Sequence, residues 1–115
     1  MSDIARFRSS QRMSQIVIHG DTIYLAGQVG TPYENAAAQT REILDKIDAL
    51  LAEAGSDKTK VLRADIWLSD MRFFEEMNKV WDAWVAEGHA PARACGSASL
   101  ATAGHWVEIL VVAAK

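Results

Sequence analysis

The sequence has one cysteine and no long apolar run, and each shortage excludes a class of protein. Cys95 has no second cysteine to pair with, so an internal disulfide is excluded and a reducing compartment is expected. The first residues, Met1 to Arg8, lack the apolar core of a signal peptide. No segment approaches the roughly 18 apolar residues of a membrane-spanning helix. The sequence therefore predicts a cytoplasmic protein that does not cross a membrane.

Sequence signals for metals, nucleotides and nucleic acids are also missing. His19, His89 and His105 lie far apart and have no neighbouring cysteines, so no metal-ligand spacing is present. No glycine-rich loop of the phosphate-binding type occurs. The net charge is −3, with 12 basic and 15 acidic residues. This acidic balance disfavours nucleic acid as the main partner, because such proteins need a basic surface.

What is present is the pattern of one globular α+β domain over residues 1–115. Half of the residues are hydrophobic and 23% are charged, which is enough to build a core. The pattern predicts strands at 14–19, 22–29, 61–68, 92–99 and 105–113, helices at about 34–54 and 71–86, and a short edge strand at 4–8. This ββαβαββ order favours a mixed sheet with both helices on one face.

Local signals set the expected ends of these elements. Gly20 and Asp21 predict a tight hairpin turn between the first two strands. Gly55 is expected to end the first helix, Asp70 to begin the second and Gly88 to end it. The second helix carries an apolar stripe of Phe73, Phe74, Met77, Val80, Trp81, Trp84 and Val85. At this spacing we interpret the aromatic side chains as core rather than as a ligand-binding box.

The last predicted strand is apolar on both sides. Val107, Ile109 and Val111 point to one side, and Glu108 and Leu110 to the other. Two helices on one face leave the second side uncovered, and we expect another copy of the chain to cover it. Glu108 would then lie at or near a subunit interface.

Arg93 and Glu108 form the most informative pair in the sequence, since both lie among apolar residues on strands predicted to be neighbours. An arginine fork binds a carboxylate bidentately, and a glutamate can orient that fork or activate a water. A structural ion pair between two strands explains the same pattern. The chemistry of the two residues leaves both interpretations open.

Several short motifs, in order, resemble the reactive intermediate deaminase (RidA, or YjgF-like) family, and within it the YoaB-like branch. The motifs are Ser14-Gln15, Leu25-Ala26-Gly27-Gln28, Met77-Asn78, Trp81-Asp82-Ala83-Trp84, Pro91-Ala92-Arg93-Ala94-Cys95 and Val107-Glu108-Ile109. The resemblance covers nearly the whole chain. It implies a chorismate-mutase-like fold that assembles as a homotrimer with a cleft at each subunit interface.

The resemblance also implies an activity and a set of site residues. The activity is hydrolysis of 2-aminoacrylate and related 2-imino acids to 2-keto acids and ammonia, as in 2-iminobutanoate/2-iminopropanoate deaminases, without a cofactor. The arginine matching Arg93 binds the substrate carboxylate and the glutamate matching Glu108 positions water. The residues matching Gly27, Asn78 and Cys95 line the cleft.

The same residues have structural interpretations. Gly27 either lets its backbone approach a ligand closely or forms a strand bulge. For Asn78 we favour a structural hydrogen bond to the backbone. Cys95 has no histidine nearby in the sequence to activate it, so we interpret it as lining the pocket rather than as a nucleophile.

Two departures from the family pattern leave a second function open. Met13 occupies the cleft position where the family usually has an aromatic residue, and the segment 30–34 is shorter than usual. A non-catalytic protein that binds a small carboxylate, such as a 2-keto acid, is therefore the alternative. RNA cleavage, attributed to some relatives, is disfavoured by the acidic balance.

Overall fold

A computed structural model describes residues 3–115 as one sheet with two helices. The strands are β1 (Ile4–Ser9), β2 (Ser14–His19), β3 (Thr22–Leu25), β4 (Gln28–Val29), β5 (Val61–Leu68), β6 (Ala92–Ser97) and β7 (Val107–Ala114). The helices are α1 (Ala36–Glu53) and α2 (Phe74–Trp84), and short 3-10 turns at Lys58–Lys60 and Met71–Phe73 precede β5 and α2. None of these helices is long and apolar enough to cross a membrane.

The strand order in the sheet is β1-β2-β3-β7-β5-β6, and β4 also pairs with β7. The β5–β6 pair is parallel and the other pairs are antiparallel, so the predicted mixed sheet is confirmed. One expectation was wrong, because β5 lies between β6 and β7. Arg93 on β6 and Glu108 on β7 are therefore not on neighbouring strands.

The core lies between the helices and one face of the sheet. Along β7, Val107, Ile109, Val111 and Ala113 are at most 1% exposed, whereas the residues between them are half-buried. Both helices contribute to this core, with Ile43, Leu44, Ile47 and Leu51 from α1 and Met77 and Trp81 from α2. Each such large side chain contributes about 1.5–3 kcal/mol when fully buried. We call the opposite side of the sheet the helix-free face.

The ends of α1 and the start of the second helical segment at Met71 follow the sequence, but α2 ends earlier than predicted. Gly55 ends α1 with a φ of 82°, as predicted. Asp70 accepts a hydrogen bond from Arg72 N–H, but it caps the 3-10 turn that precedes the helix. The helix stops at Trp84, earlier than predicted, because Val85 adopts an extended backbone, and Lys58 Nζ donates to the Trp84 carbonyl at 2.7 Å. Gly88, with a φ of 77°, lies in the following turn.

Two strands depart from the predicted alternation through irregular pairing. The predicted strand 22–29 divides into β3 and β4, because four steps from Tyr24 to Gln28 face only three on β7, from Val112 to Ile109. The extra residue is a bulge beside Gly27, as one of its two interpretations predicted. The sequence pattern places Leu62 on one face of β5 with Ala64, Ile66 and Leu68, but the register shifts between Val61 and Arg63, so that Val61 is buried and Leu62 is 52% exposed.

The other strand predictions were close. The two-residue turn at Gly20 and Asp21 is confirmed by the pairing of His19 with Thr22. The edge strand β1 ends one residue beyond the predicted limit. β6 ends at Ser97 and β7 begins at Val107, so the connection between them is longer than predicted.

Candidate functional site

Arg93 is exposed on the edge strand β6, and two residues of α2 orient it. Its Nη1 donates to Asn78 Oδ1 at 2.8 Å. Its Cζ lies 5.4 Å from the centroid of the Trp81 ring, within the range of a cation–π contact. Both partners are neutral, so they hold the guanidinium without neutralising its charge. For Asn78 the favoured structural bond to the backbone is replaced by this bond to a side chain.

Arg93 and Glu108 do not form an ion pair within the chain. The ion pairs found over residues 3–115 are Arg8–Glu53 at 2.7 Å and Arg63–Asp65 at 3.1 Å. Two strand spacings, about 10 Å, separate β6 from β7. The ion-pair interpretation of the sequence was therefore wrong for a single chain.

The two charges also lie on different faces of the sheet. Arg93 is in register with Ala64, which is fully buried beneath the helices. Glu108 is in register with Trp67, which is 40% exposed on the helix-free face. Since register partners on adjacent strands point to the same side, one chain separates the cation from the carboxylate.

Glu108 lies against Gly27, where any side chain would displace its carboxylate. A Cβ at position 27 would overlap Glu108 Oε2 and lie 3.0 Å from Glu108 Cδ. Gln28 braces the bulge beside it, because its Nε2 donates to Gln15 Oε1 at 2.8 Å and to the Ala26 carbonyl at 3.0 Å. The bulge thus brings a backbone without a side chain next to the Glu108 carboxylate.

Cys95 lies two residues after Arg93 on β6 and is partly buried. Burial raises the pKa of the Cys95 thiol, and the positive charge of Arg93 lowers it by less. The thiol form therefore dominates at neutral pH, which supports the pocket-lining interpretation over nucleophilic catalysis. Cys95 borders a concavity of about 420 Å³ together with Trp67, Gly96 and Leu110.

Met13 and the segment 30–34 lie around the Glu108 end of the sheet. Met13 is 43% exposed in the turn between β1 and β2. The Gln15 carbonyl accepts from Ala26 N–H at 3.0 Å, which places the start of β2 beside the bulge at Gly27. Thr31 N–H donates to Glu42 Oε2 at 2.6 Å, and this bond ties the short segment to α1.

The six predicted site residues therefore form two groups within one chain. Arg93, Asn78 and Cys95 belong to the β6 edge, and Gly27, Glu108 and Met13 belong to the opposite side of β5. The first group presents a cation and the second a carboxylate. Over residues 3–115 no three side chains of the metal-binding types cluster, so neither group resembles a metal site.

Two residues of structural importance for this region were missed at the sequence level. Trp81 was assigned only to the core, although its position three residues after Asn78 puts both on one side of α2. Gln39 is fully buried, and its Nε2 donates to the Glu34 and Gly104 carbonyls while its Oε1 accepts from Trp106 N–H. A polar residue at a core-facing helix position was the available signal, because such a side chain needs hydrogen-bond partners.

The mixed sheet with two helices is the α+β fold of the YjgF proteins. A family profile described as endoribonuclease L-PSP matches residues 3–115, and the chain belongs to this family, also called YjgF/RidA. A YjgF family structure from Neisseria meningitidis superposes with a TM-score of 0.96 at 50% identity, covering 98% of this chain and 95% of that one.

The chain is also similar to two named proteins, one a family member and one named for an activity. The RutC family protein YoaB of Escherichia coli is 43% identical over 111 residues, which cover 96% of this chain and 97% of that protein. A rat protein named 2-iminobutanoate/2-iminopropanoate deaminase is 28% identical over 109 residues, 89% of this chain and 79% of that protein.

Proposed function

We propose that this protein hydrolyses small 2-imino and enamine acids, such as 2-aminoacrylate, to 2-keto acids and ammonia. The observation that carries the proposal is the state of Arg93, which is exposed and oriented by an amide and an aromatic ring rather than by a carboxylate. Its charge is thus available for the carboxylate of a small acid. The name of the rat relative supports this substrate class. We place the activity in the cytoplasm, where the lone thiol stays reduced.

We infer that the complete site forms between subunits of a homotrimer. The helix-free face carries Tyr24 and Trp67, each at least 40% exposed, half-buried Leu110 beside Glu108, and the Arg63–Asp65 ion pair. Exposed large apolar side chains of this kind favour burial against another copy. Glu108 and Gly27 of one copy would then meet Arg93, Asn78 and Cys95 of the next, which a single chain keeps apart.

The proposed mechanism needs only orientation and one proton acceptor. Arg93 binds the substrate carboxylate and fixes the adjacent C2 carbon, which becomes electrophilic when 2-aminoacrylate takes up a proton from solvent at C3 and forms the iminium. Glu108 accepts a proton from a water whose oxygen attacks C2, giving a tetrahedral carbinolamine. Glu108 passes this proton to the carbinolamine nitrogen, and as the C–N bond breaks it takes up the hydroxyl proton, so that ammonia and the 2-keto acid are released. No residue in this scheme has to form a covalent bond with the substrate.

The direct test generates 2-aminoacrylate enzymatically and follows keto-acid formation with and without the protein. We expect acceleration over spontaneous hydrolysis, and we expect it to disappear in Glu108→Gln, which keeps the shape but cannot accept the proton. An absence of acceleration across several amino-acid precursors would contradict the deaminase proposal.

Carboxylate binding without turnover is the second candidate. Met13 favours it, because an exposed thioether at the Glu108 end of the sheet offers no hydroxyl to a substrate. A 2-keto acid at one hundred times its dissociation constant would then add about 2.7 kcal/mol to stability. A raised melting temperature with no reaction would select this candidate.

A further inference from the structure

We propose that Trp81 is a positioning residue for Arg93. The indole of Trp81 holds the guanidinium in the orientation in which it binds a carboxylate. The inference rests on the proposed function, since it takes Arg93 as the carboxylate-binding residue. It assigns to Trp81 a role beyond filling the core.

The geometry gives Arg93 two constraints of different kinds. The bond from Nη1 to Asn78 Oδ1, at 2.8 Å, fixes one end of the guanidinium. The Trp81 ring, 5.4 Å from Cζ, fixes the side against which the group rests. Without them an exposed arginine on an edge strand would sample many rotamers and lose much of its orienting power.

Trp81 is itself held rigidly. Its side chain is only 5% exposed, and the Trp84 ring packs against it at 5.2 Å with an interplanar angle of 49°. Trp84 in turn donates from Nε1 to both Asp48 carboxylate oxygens on α1, each at 3.1 Å. The indole of Trp81 therefore cannot turn away from Arg93 without disturbing the contact between the two helices.

This arrangement leaves the guanidinium ready for one kind of ligand contact. Of its five N–H groups, Asn78 takes one, so a complete edge with two parallel donors remains. Trp81 lies 5.4 Å from Cζ and accepts no hydrogen bond from the guanidinium, so it leaves that edge to a carboxylate. Neither neighbour competes with the ligand by supplying a negative charge.

The test measures pyruvate binding calorimetrically in the intact protein and compares two substitutions on α2. Trp81→Leu should weaken binding roughly threefold to thirtyfold, as expected for loss of a cation–π contact. Phe74→Leu removes a ring of the same helix that packs on the same core, and it should leave the affinity unchanged. Trp81→Phe, which keeps a π face, should recover part of the loss. In turnover, Trp81→Leu should raise KM more than it lowers kcat.

If Trp81→Leu fails to fold, a replacement that keeps the shape of the side chain tests the same inference. Biosynthetic replacement of tryptophan by fluorinated tryptophan weakens the π face without changing its outline. Pyruvate affinity should fall with fluorination in the wild type and stay constant with fluorination in Trp81→Phe. Equal effects in both proteins, or no effect in either, would overturn the inference.

Arg93→Ala separates this inference from the proposed function. If Arg93→Ala binds pyruvate like the wild type, the proposed function fails and the role of Trp81 fails with it. If Arg93→Ala loses binding but Trp81→Leu behaves like Phe74→Leu, the role of Trp81 alone is wrong.

Discussion

At the scale of single residues, the nature of the partner decides what Arg93 can do. An arginine paired with a carboxylate is neutralised, but Asn78 and Trp81 leave the charge of Arg93 intact. The partner also decides how much stability is lost when Arg93 is removed. Breaking a buried ion pair costs about 3–5 kcal/mol, because the remaining charge is stranded. Asn78 is neutral and Arg93 is exposed, so no such penalty applies.

We therefore expect Arg93→Ala to be folded and inactive. Deamination should be abolished, while stability should fall by less than for a broken buried ion pair, since the lost hydrogen bond and cation–π contact are each worth about 1 kcal/mol. Arg93→Lys should also be strongly impaired, because lysine keeps the charge and loses the planar fork. Activity and thermal unfolding are measured on the same samples. A large drop in melting temperature, or full activity in Arg93→Ala, would disprove the assignment.

Gly27 shows at the same scale how an absent side chain supports the site. Gly27→Ala would place a Cβ onto Glu108 Oε2, so the carboxylate has to move. We expect activity to fall at least about tenfold, with little loss of stability, because the end of the flexible Glu108 side chain can shift away from the new methyl group. Gly96→Ala is the control, because its nearest contact would be Trp67 Cζ3 at an ordinary 3.5 Å. Equal activity in the two variants would show that Glu108 is not constrained in this way.

At the scale of elements, α1 holds the segments that flank Glu108. Gln39 joins the segment ending at Glu34 to the residues just before β7, through Gly104 and Trp106. Glu42 accepts from both the hydroxyl and the N–H of Thr31. The connection between β4 and α1 is therefore held in position by side chains of α1 itself, Gln39 and Glu42.

The Glu42–Thr31 contact predicts a defined pH dependence of stability. Hydrogen bonds from the Thr31 side chain and then its backbone lower the pKa of Glu42. A carboxylate whose pKa is lower in the folded than in the unfolded protein stabilises the fold. This stabilisation is present above the ordinary glutamate pKa of about 4.3 and is lost as pH falls through the folded-state pKa. In urea unfolding, the stability difference between wild type and Glu42→Gln should be constant near neutral pH and shrink below it.

Other carboxylates supply an internal reference for this measurement. The pKa values of Glu53, which accepts from Arg8, and of Asp57, which accepts from Thr59, are also lowered. Both contributions remain in Glu42→Gln, so that variant should still lose stability in acid. A stability difference that stays constant across the acid range would contradict the role of the Thr31 contact.

At the scale of the whole molecule, the helix-free face predicts how copies assemble. Leu110 lies half-buried on this face, two residues from Glu108. Leu110→Glu should give monomers or insoluble protein, because an unpaired charge is not tolerated in an apolar interface. Ala83→Glu, on the exposed side of α2, should behave like the wild type in analytical ultracentrifugation. A fully assembled Leu110→Glu protein would show that the interface lies elsewhere.

The candidate site was predictable in its residue types but not in its arrangement. Arg93 and Glu108 stood out because charged residues within apolar strands are unusual, and this signal is local. Their separation was not predictable, because it arises from the placement of β5 between their strands. The partner of Asn78 was equally hidden, since Arg93 lies 15 residues further along the chain.

The sequence by itself determined the features that depend on near neighbours. These include the order of the elements, the hairpin at Gly20, the end of α1 at Gly55 and the buried side of β7, since backbone conformation and alternation act over a few residues. Tertiary structure decided the remainder. The carbonyl at the end of α2 accepts from Lys58, 26 residues away, and the bulge at Gly27 is defined by its pairing with β7. Such contacts depend on the path of the chain in space, and no local pattern encodes that path.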